Sequence, residues 1–221
     1  MEISASLLAA DYARLGEEVL RAQAAGVDSF HVDMMDGHYV PNLALVPQHL
    51  QALHTYTTLP FNVHLELDNP DRILEAFHEW WASQIIVQWD TLSDPLATFK
   101  RIRGRGAGVG LGINPDVTLP EIQPFLEQLD MLLVLGVYPG FGGQNMQPAT
   151  IEKIAAARQL IDRQGYHLSI SVDGGVKLEN APALLQAGAD CLIMGTALFQ
   201  AEHMEQVVGR FRALAGASLP R

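Results

Sequence analysis

Eight short apolar runs, each closed by glycine or a polar residue and each followed by an amphipathic stretch, constrain this chain more than any other feature. They lie at Ile3 to Ser6, Ser29 to Asp33, Phe61 to Leu65, Gln84 to Val87, Val109 to Ile113, Met131 to Leu135, Leu168 to Val172 and Cys191 to Met194. Strands separated by helix-length segments have to pair in parallel, because a crossover helix carries the chain back to the start of the sheet. The segment Asp11 to Ala25 shows the helical pattern, with Leu15, Val19 and Ala22 on one face, Asp11 as N-cap and Gly26 as the stop. Pro148 to Arg163 reads the same way, with proline near its start. Eight such units predict one α/β domain, a single (β/α)8 barrel over residues 1–221, with a doubly wound open sheet as the competing fold. Polar groups at the ends of several different strands favour the closed barrel, whose chemistry collects at the C-terminal strand ends.

Composition narrows the partners. A formal charge of -11 disfavours nucleic acid, which needs a basic surface, and the apolar runs are too short to span a bilayer. The beginning of the chain has no basic leader before an apolar segment, so the expectation is a soluble, cytoplasmic protein without a membrane partner. Cys191 is the only cysteine, which excludes an internal disulfide and a thiolate zinc cluster, and it reads as a buried small hydrophobe.

Two constellations carry chemistry. The second run ends in His31-Val32-Asp33, the third in His64, and the seventh leads to Asp173. Residues two apart on a strand face the same way, so His31 and Asp33 point together, and two imidazoles and two carboxylates converge at one mouth. Nitrogen and oxygen donors without sulfur suit one divalent ion, Zn, Fe, Mn or Co. His38, His49, His54, His78, His167 and His203 lack such company and read as surface or packing residues. The second constellation is glycine: Pro139-Gly140-Phe141-Gly142-Gly143, Gly174-Gly175 and Gly195-Thr196 follow the sixth, seventh and eighth runs. Glycine lets backbone N–H groups approach an oxyanion, and barrel phosphate sites form on these loops, so a small phosphorylated ligand is expected there.

The stretch His31-Val32-Asp33-Met34-Met35-Asp36-Gly37-His38-Tyr39-Val40-Pro41-Asn42, with Pro139-Gly140-Phe141-Gly142-Gly143-Gln144, Val172-Asp173-Gly174-Gly175 and the opening Ser4 to Asp11, resembles the ribulose-phosphate 3-epimerase family. The resemblance implies a metal held by His31, Asp33, His64 and Asp173, with Asp33 and Asp173 as the acid and base that invert C3 of a ketose phosphate, chiefly D-ribulose 5-phosphate to D-xylulose 5-phosphate. No organic cofactor is implied. It also implies substrate or phosphate contacts from Ser6, Met35, His64, Gly140, Phe141, Gly142, Gly143, Gly174, Gly175, Gly195 and Thr196, and a homo-oligomer. The chain departs from the family pattern at Glu66, where methionine is usual, at Gln88, where histidine is common, and at Leu135 and Gly136, where methionine and a polar residue are usual. Glu66 with Gln88 is therefore expected to reshape the pocket, possibilities being another ketose phosphate such as D-allulose 6-phosphate or a glutamate that is exposed or salt-bridged and plays no part in selection. A non-catalytic sugar-phosphate-binding barrel is the alternative from outside enzymology. An orotidine-monophosphate-type decarboxylase is disfavoured, since no Asp-x-Lys-x-x-Asp occurs and the lysines are Lys100, Lys153 and Lys177. Phe77, Trp80 and Trp81, read as part of the third helix, serve either a subunit interface or outer-helix packing.

Overall fold

The structure is a computed structural model that describes residues 1–77 and 81–217, with the side chains of 215–217 outside the description. Eight parallel strands close on themselves in chain order: β1 Glu2–Ser6, β2 Ser29–Met35, β3 Phe61–Glu66, β4 Gln84–Gln88, β5 Gly108–Ile113, β6 Met131–Leu135, β7 Ser169–Asp173 and β8 Cys191–Met194. The open-sheet alternative is thereby excluded, and each expected strand lies within two residues of its observed bounds. The α-helices are α1 Leu15–Ala25, α2 Pro47–Leu53, α3 Pro95–Arg103, α4 Leu119–Ile122, α5 Thr150–Gln164, α6 Ala181–Ala187, α7 Thr196–Phe199 and α8 Met204–Ala217. Among the described residues no helix is long and apolar enough to cross a membrane.

Alternation along the strands sorts their side chains into two cores. Outward-facing Ile3, Phe30, Val32, Val63, Val109, Leu132, Ile170 and Leu192 meet the helices in the larger cluster. Inward-facing Ile86, Met131, Leu133, Leu135, Cys191 and Ile193 fill the barrel itself. Cys191 is buried there, and burial pushes its thiol up to about 12.

Local signals account for most helix bounds. Gly26 and Gly165 end α1 and α5 in the left-handed region, where glycine carries no Cβ penalty. Asp11 caps a 3-10 turn, Tyr12–Arg14, rather than α1 itself; its carboxylate accepts from the Ala13 N–H at 3.0 Å. The expected third helix is a correction. Between β3 and β4 the described residues form two 3-10 turns, Pro70–Arg72 and Leu74–Ala76, and Phe77 is already extended. The first turn is tied sideways to α3, where Asp71 pairs with Arg101 at 2.8 Å and accepts from Thr98, and its amides bond three residues back. Phe77 and Trp81 are buried in the larger core, which supports packing over an interface; Trp80 and His78 lie outside the described residues.

Candidate active site

Strand register brings the inward polar residues into levels. Ser6 pairs with His31, Asp33 with His64, Met35 with Glu66, and Leu135 with Asp173. Each pair lies on neighbouring strands with side chains on the barrel's inner face at its C-terminal end, so the convergence expected from spacing alone is found. Ligand atoms of His31, Asp33, His64 and Asp173 all lie within 4.8 Å of one another.

Asp33 is the hub. One carboxylate oxygen, Oδ1, is 3.1 Å from both His31 Nε2 and His64 Nδ1; the other accepts from the Ser6 hydroxyl at 3.0 Å. Burial by itself would raise its pKa, but the two imidazoles reverse that and hold the carboxyl well below the usual range. Burial would likewise lower His31, and contact with Asp33, then the charge of Asp173, more than offsets it, so His31 is raised. Asp173 differs: its side chain is 21% exposed, His31 Nε2 is 3.8 Å away, and burial together with the charge of Asp33 moves its carboxyl upward despite His31.

These residues fit a divalent ion on structural grounds. His31 and His64 are fully buried, yet both ring nitrogens of His31 and Nε2 of His64 have no hydrogen-bond partner. Buried polar atoms are normally paired, and the orphaned His31 Nε2, facing Asp33 and Asp173, makes with His64 Nδ1 and the two carboxylates a nitrogen and oxygen donor set of the kind such ions take.

Above this cluster opens a cavity of about 710 Å³. Ser6, Asp33, Glu66, Leu135 and Asp173 line it on the strand side, and Gly140, Phe141, Gly142, Gly143, Gly174, Gly175, Gly195 and Thr196 line it on the loop side. Gly140, Gly143, Gly174 and Gly175 all have positive φ, so these loops demand glycine for their course. The Gly174 N–H is engaged by the Asp173 carboxylate at 2.8 Å. Gly136 answers one departure from the family pattern: a Cβ there would stand 2.4 Å from the Gly174 carbonyl oxygen, so any side chain would displace the loop after β7.

Three expected contacts, Met35, His64 and Gln88, lie beneath the cavity instead of on its wall. Met35, 5% exposed, shares the face of Asp33 but does not line the space, and Gln88 is fully buried behind His64. Gln88 donates to Asn114 at 3.4 Å, Asn114 donates to Tyr39 Oη at 2.9 Å, and Tyr39 donates to Asp90 at 3.0 Å. Sequence reading missed this relay, because its members sit on three separate segments. A Cβ on Gly112 would fall 2.4 Å from Gln88 Oε1 and 3.3 Å from His64 Nε2, so the bare backbone of β5 makes room for the ring. Lys177 and Arg210 also line the cavity and were missed. Lys177 follows Gly174-Gly175 by two residues, which was a usable signal; Arg210 comes from α8, far along the chain.

Glu66 is buried, 3% exposed, and among the described residues it pairs with no lysine or arginine; its Oε1 is 3.5 Å from His64 Nδ1. Burial first, and then the charges of Asp33 and Asp173, push its carboxyl up to about 9, against a hydrogen bond from the Gly140 N–H.

The sequence profile described as the ribulose-phosphate 3 epimerase family matches residues 2–199. The chain belongs to the ribulose-phosphate 3-epimerase family. It is therefore an epimerase acting on carbohydrates. A relative from Escherichia coli named ribulose-phosphate 3-epimerase is 39% identical over 96% of this chain and 94% of its own length. One of the same name from Bacillus subtilis is 34% identical, covering 96% of this chain and 98% of the relative. In fold alone the chain is similar to the solved phosphoribosyl anthranilate isomerase of Thermus thermophilus, with a TM-score of 0.71 at 16% identity over 97% of this chain and all of that one. Family membership agrees with the mouth as described: Ser6, His31, Asp33, residues 139–144 and residues 173–175, all from the stretches quoted for the resemblance, meet at the cavity or just beneath it.

Proposed function

We propose that this protein interconverts D-ribulose 5-phosphate and D-xylulose 5-phosphate by inverting C3. The observation that carries the reading is the meeting of His31, Asp33, His64 and Asp173 beneath a cavity whose opposite wall is made of glycine loops. The two curated relatives carry the name of that reaction. The reading takes residues 1–221 as one barrel domain working in the cytoplasm as a homo-oligomer; Leu43, Tyr138 and Phe141, exposed beside the mouth, offer apolar surface for a second copy.

His31, Asp33, His64 and Asp173 would hold one ion of Zn, Fe, Mn or Co, which when bound polarises the substrate ketone and makes the adjacent C3 proton removable. The chain supplies the proton transfers. Asp33, held ionised by its imidazoles and oriented by Ser6, takes the proton from one face of C3. Asp173, whose carboxyl is raised, returns a proton to C3 from the other face. Each turnover moves one proton from Asp173 to Asp33, so the starting state returns by exchange with water or by the reverse reaction. Backbone of Gly142, Gly143, Gly175, Gly195 and Thr196, with Lys177 and Arg210 nearby, receives the phosphate. Met35 stands two residues after Asp33 on the same face of β2, beside Glu66 on β3.

The test follows C3–H exchange in deuterated water with the metal-loaded protein and D-ribulose 5-phosphate. Exchange and inversion that disappear in Asp33→Asn and Asp173→Asn support the reading. A second substrate, a six-carbon ketose 6-phosphate such as D-allulose 6-phosphate, is kept by one observation: polar Glu66 and branched Leu135 line the cavity where methionines are usual. Faster inversion of that sugar would replace the first substrate. Metal binding with no exchange on either sugar would leave a sugar-phosphate-binding barrel.

A further inference from the structure

Glu66 brings a carboxyl to the cavity wall that neither the metal cluster nor the glycine loops require. It closes β3 on the barrel's inner face and lines the cavity with Asp33, Asp173 and Leu135. Its Oε1 approaches His64 Nδ1 at 3.5 Å, and the Gly140 N–H donates to the carboxylate. Oε2 is buried and has no partner. An unpaired buried oxygen of this kind costs roughly 1–3 kcal/mol and is tolerated where a bound molecule supplies the missing bond.

Topology says which part of that molecule arrives. In a closed barrel of eight strands, β3 stands diametrically opposite β7. The loops after β7 and β8 carry Gly175, Gly195 and Thr196, so a phosphate seated there sends the rest of the sugar across the ion site toward β3. A ketose 5-phosphate laid across this span presents its C1 hydroxyl at the Glu66 end. The match does not depend on the charge of Glu66, since a hydroxyl both donates and accepts.

Resting on the epimerase reading above, we infer that Glu66 is a specificity-determining residue that hydrogen-bonds the hydroxyl on the carbon farthest from the phosphate. A site built to bond a hydroxyl rejects the analogue that lacks it, because its own polar atom is then left unpaired. A thioether at this position would discriminate weakly.

The experiment compares kcat/KM for D-ribulose 5-phosphate and for 1-deoxy-D-ribulose 5-phosphate, using the Mn(II)-loaded protein and its Glu66→Met and Glu66→Gln variants. Calorimetric titration with Mn(II) alone checks that each variant keeps the ion site, and Glu66→Leu replaces the methionine variant if that one does not fold. The wild type is expected to favour the hydroxylated sugar by at least about 10-fold. Glu66→Met should bring the ratio near one by losing rate on the hydroxylated sugar, while Glu66→Gln keeps most of the preference. An unchanged ratio in Glu66→Met, with both sugars turned over, overturns the inference and leaves the epimerase reading standing. A wild type that turns over neither sugar overturns the epimerase reading, and this inference falls with it. Equal losses on both sugars, or loss of Mn(II) binding, would assign Glu66 to the loop or to the ion instead.

Discussion

Three carboxylates at one end of the barrel are treated in the opposite way from three at the other. At the N-terminal end, Asp28, Asp130 and Asp190 immediately precede β2, β6 and β8. Each clamps one residue of the preceding strand from both sides: the Asp28 N–H donates to Ile3 O while Oδ2 accepts from Ile3 N–H at 2.7 Å. Asp130 does the same to Val109 and Asp190 to Ile170. Each also meets an arginine, Arg212, Arg103 and Arg158 respectively. At the C-terminal end, among the described residues, Asp33, Glu66 and Asp173 meet histidine, serine and backbone instead of arginine, and Glu66 Oε2 and three of the neighbouring imidazole nitrogens stay buried without a hydrogen bond. Satisfied carboxylates hold strands in register, whereas a cluster with unpaired buried atoms keeps capacity for something that is bound. The lesson is that polarity at a barrel end is uninformative until its bonds are counted.

The largest test of this contrast is catalytic. Asp33→Asn or Asp173→Asn should lower C3–H exchange by roughly 10³-fold, the scale of an acid or base lost. Asp130→Ala or Asp190→Ala should leave kcat within about twofold and lower stability by about 1–2 kcal/mol, since a strand N–H loses its acceptor. Exchange that survives in the first pair, or collapses in the second with the fold intact, would break the division between the two ends.

Removing the ion is the next largest. If the mouth is unsatisfied because it awaits a metal, chelation should lower Tm by on the order of 10 °C, taking about 4 kcal/mol for an ion at 1,000 times its Kd and 2–4 °C per kcal/mol for a domain this size. A scan unaffected by chelator would mean that the orphaned imidazoles are not a metal site.

Charge supplies a smaller and sharper test in the metal-free protein. Glu66 ionises near 4.5 when unfolded and about 9 when folded, so the stability it contributes is present in full below pH 4.5 and is lost as pH rises toward 9. Glu66→Gln removes that slope, which is at most about 1.4 kcal/mol per pH unit. Its advantage over the wild type in urea unfolding should therefore be larger at pH 8 than at pH 6. Equal advantages would mean that the buried carboxyl does not carry the strain assigned to it.

What the sequence disclosed follows the same division. The strands, the closed barrel and the convergence of His31, Asp33, His64 and Asp173 were legible because period-two alternation fixes which side chains share a face. The turns after β3 were not, since Asp71 is held by Arg101 and Thr98, 30 and 27 residues away, and no local pattern reports that pairing. The placement of Gln88 behind His64 depends on the glycines of β5, which read in sequence only as weak strand formers. The N-terminal clamps stand in the sequence as aspartate before an apolar run, in Asp28-Ser29-Phe30, Asp130-Met131-Leu132 and Asp190-Cys191-Leu192, but aspartate there is equally an ordinary turn residue, and the strand amide it meets lies about 20 residues or more away.

The smallest expected effect separates the two parts of one clamp. Arg212 and Asp28 are 40% and 35% exposed and 2.8 Å apart, so screening by water leaves their attraction worth less than about 1 kcal/mol. The Ile3 N–H, by contrast, points at Asp28 in a partly buried setting where an unpaired amide is costly. Arg212→Ala should therefore destabilise less than Asp28→Ala, and Asp28→Asn, which keeps an oxygen acceptor while losing the charge, should fall near Arg212→Ala. If Arg212→Ala equals Asp28→Ala and raising salt to 1 M erases both, the N-terminal carboxylates are held for their charge. The contrast between the barrel ends would then be one of charge pairing and not of hydrogen-bond satisfaction.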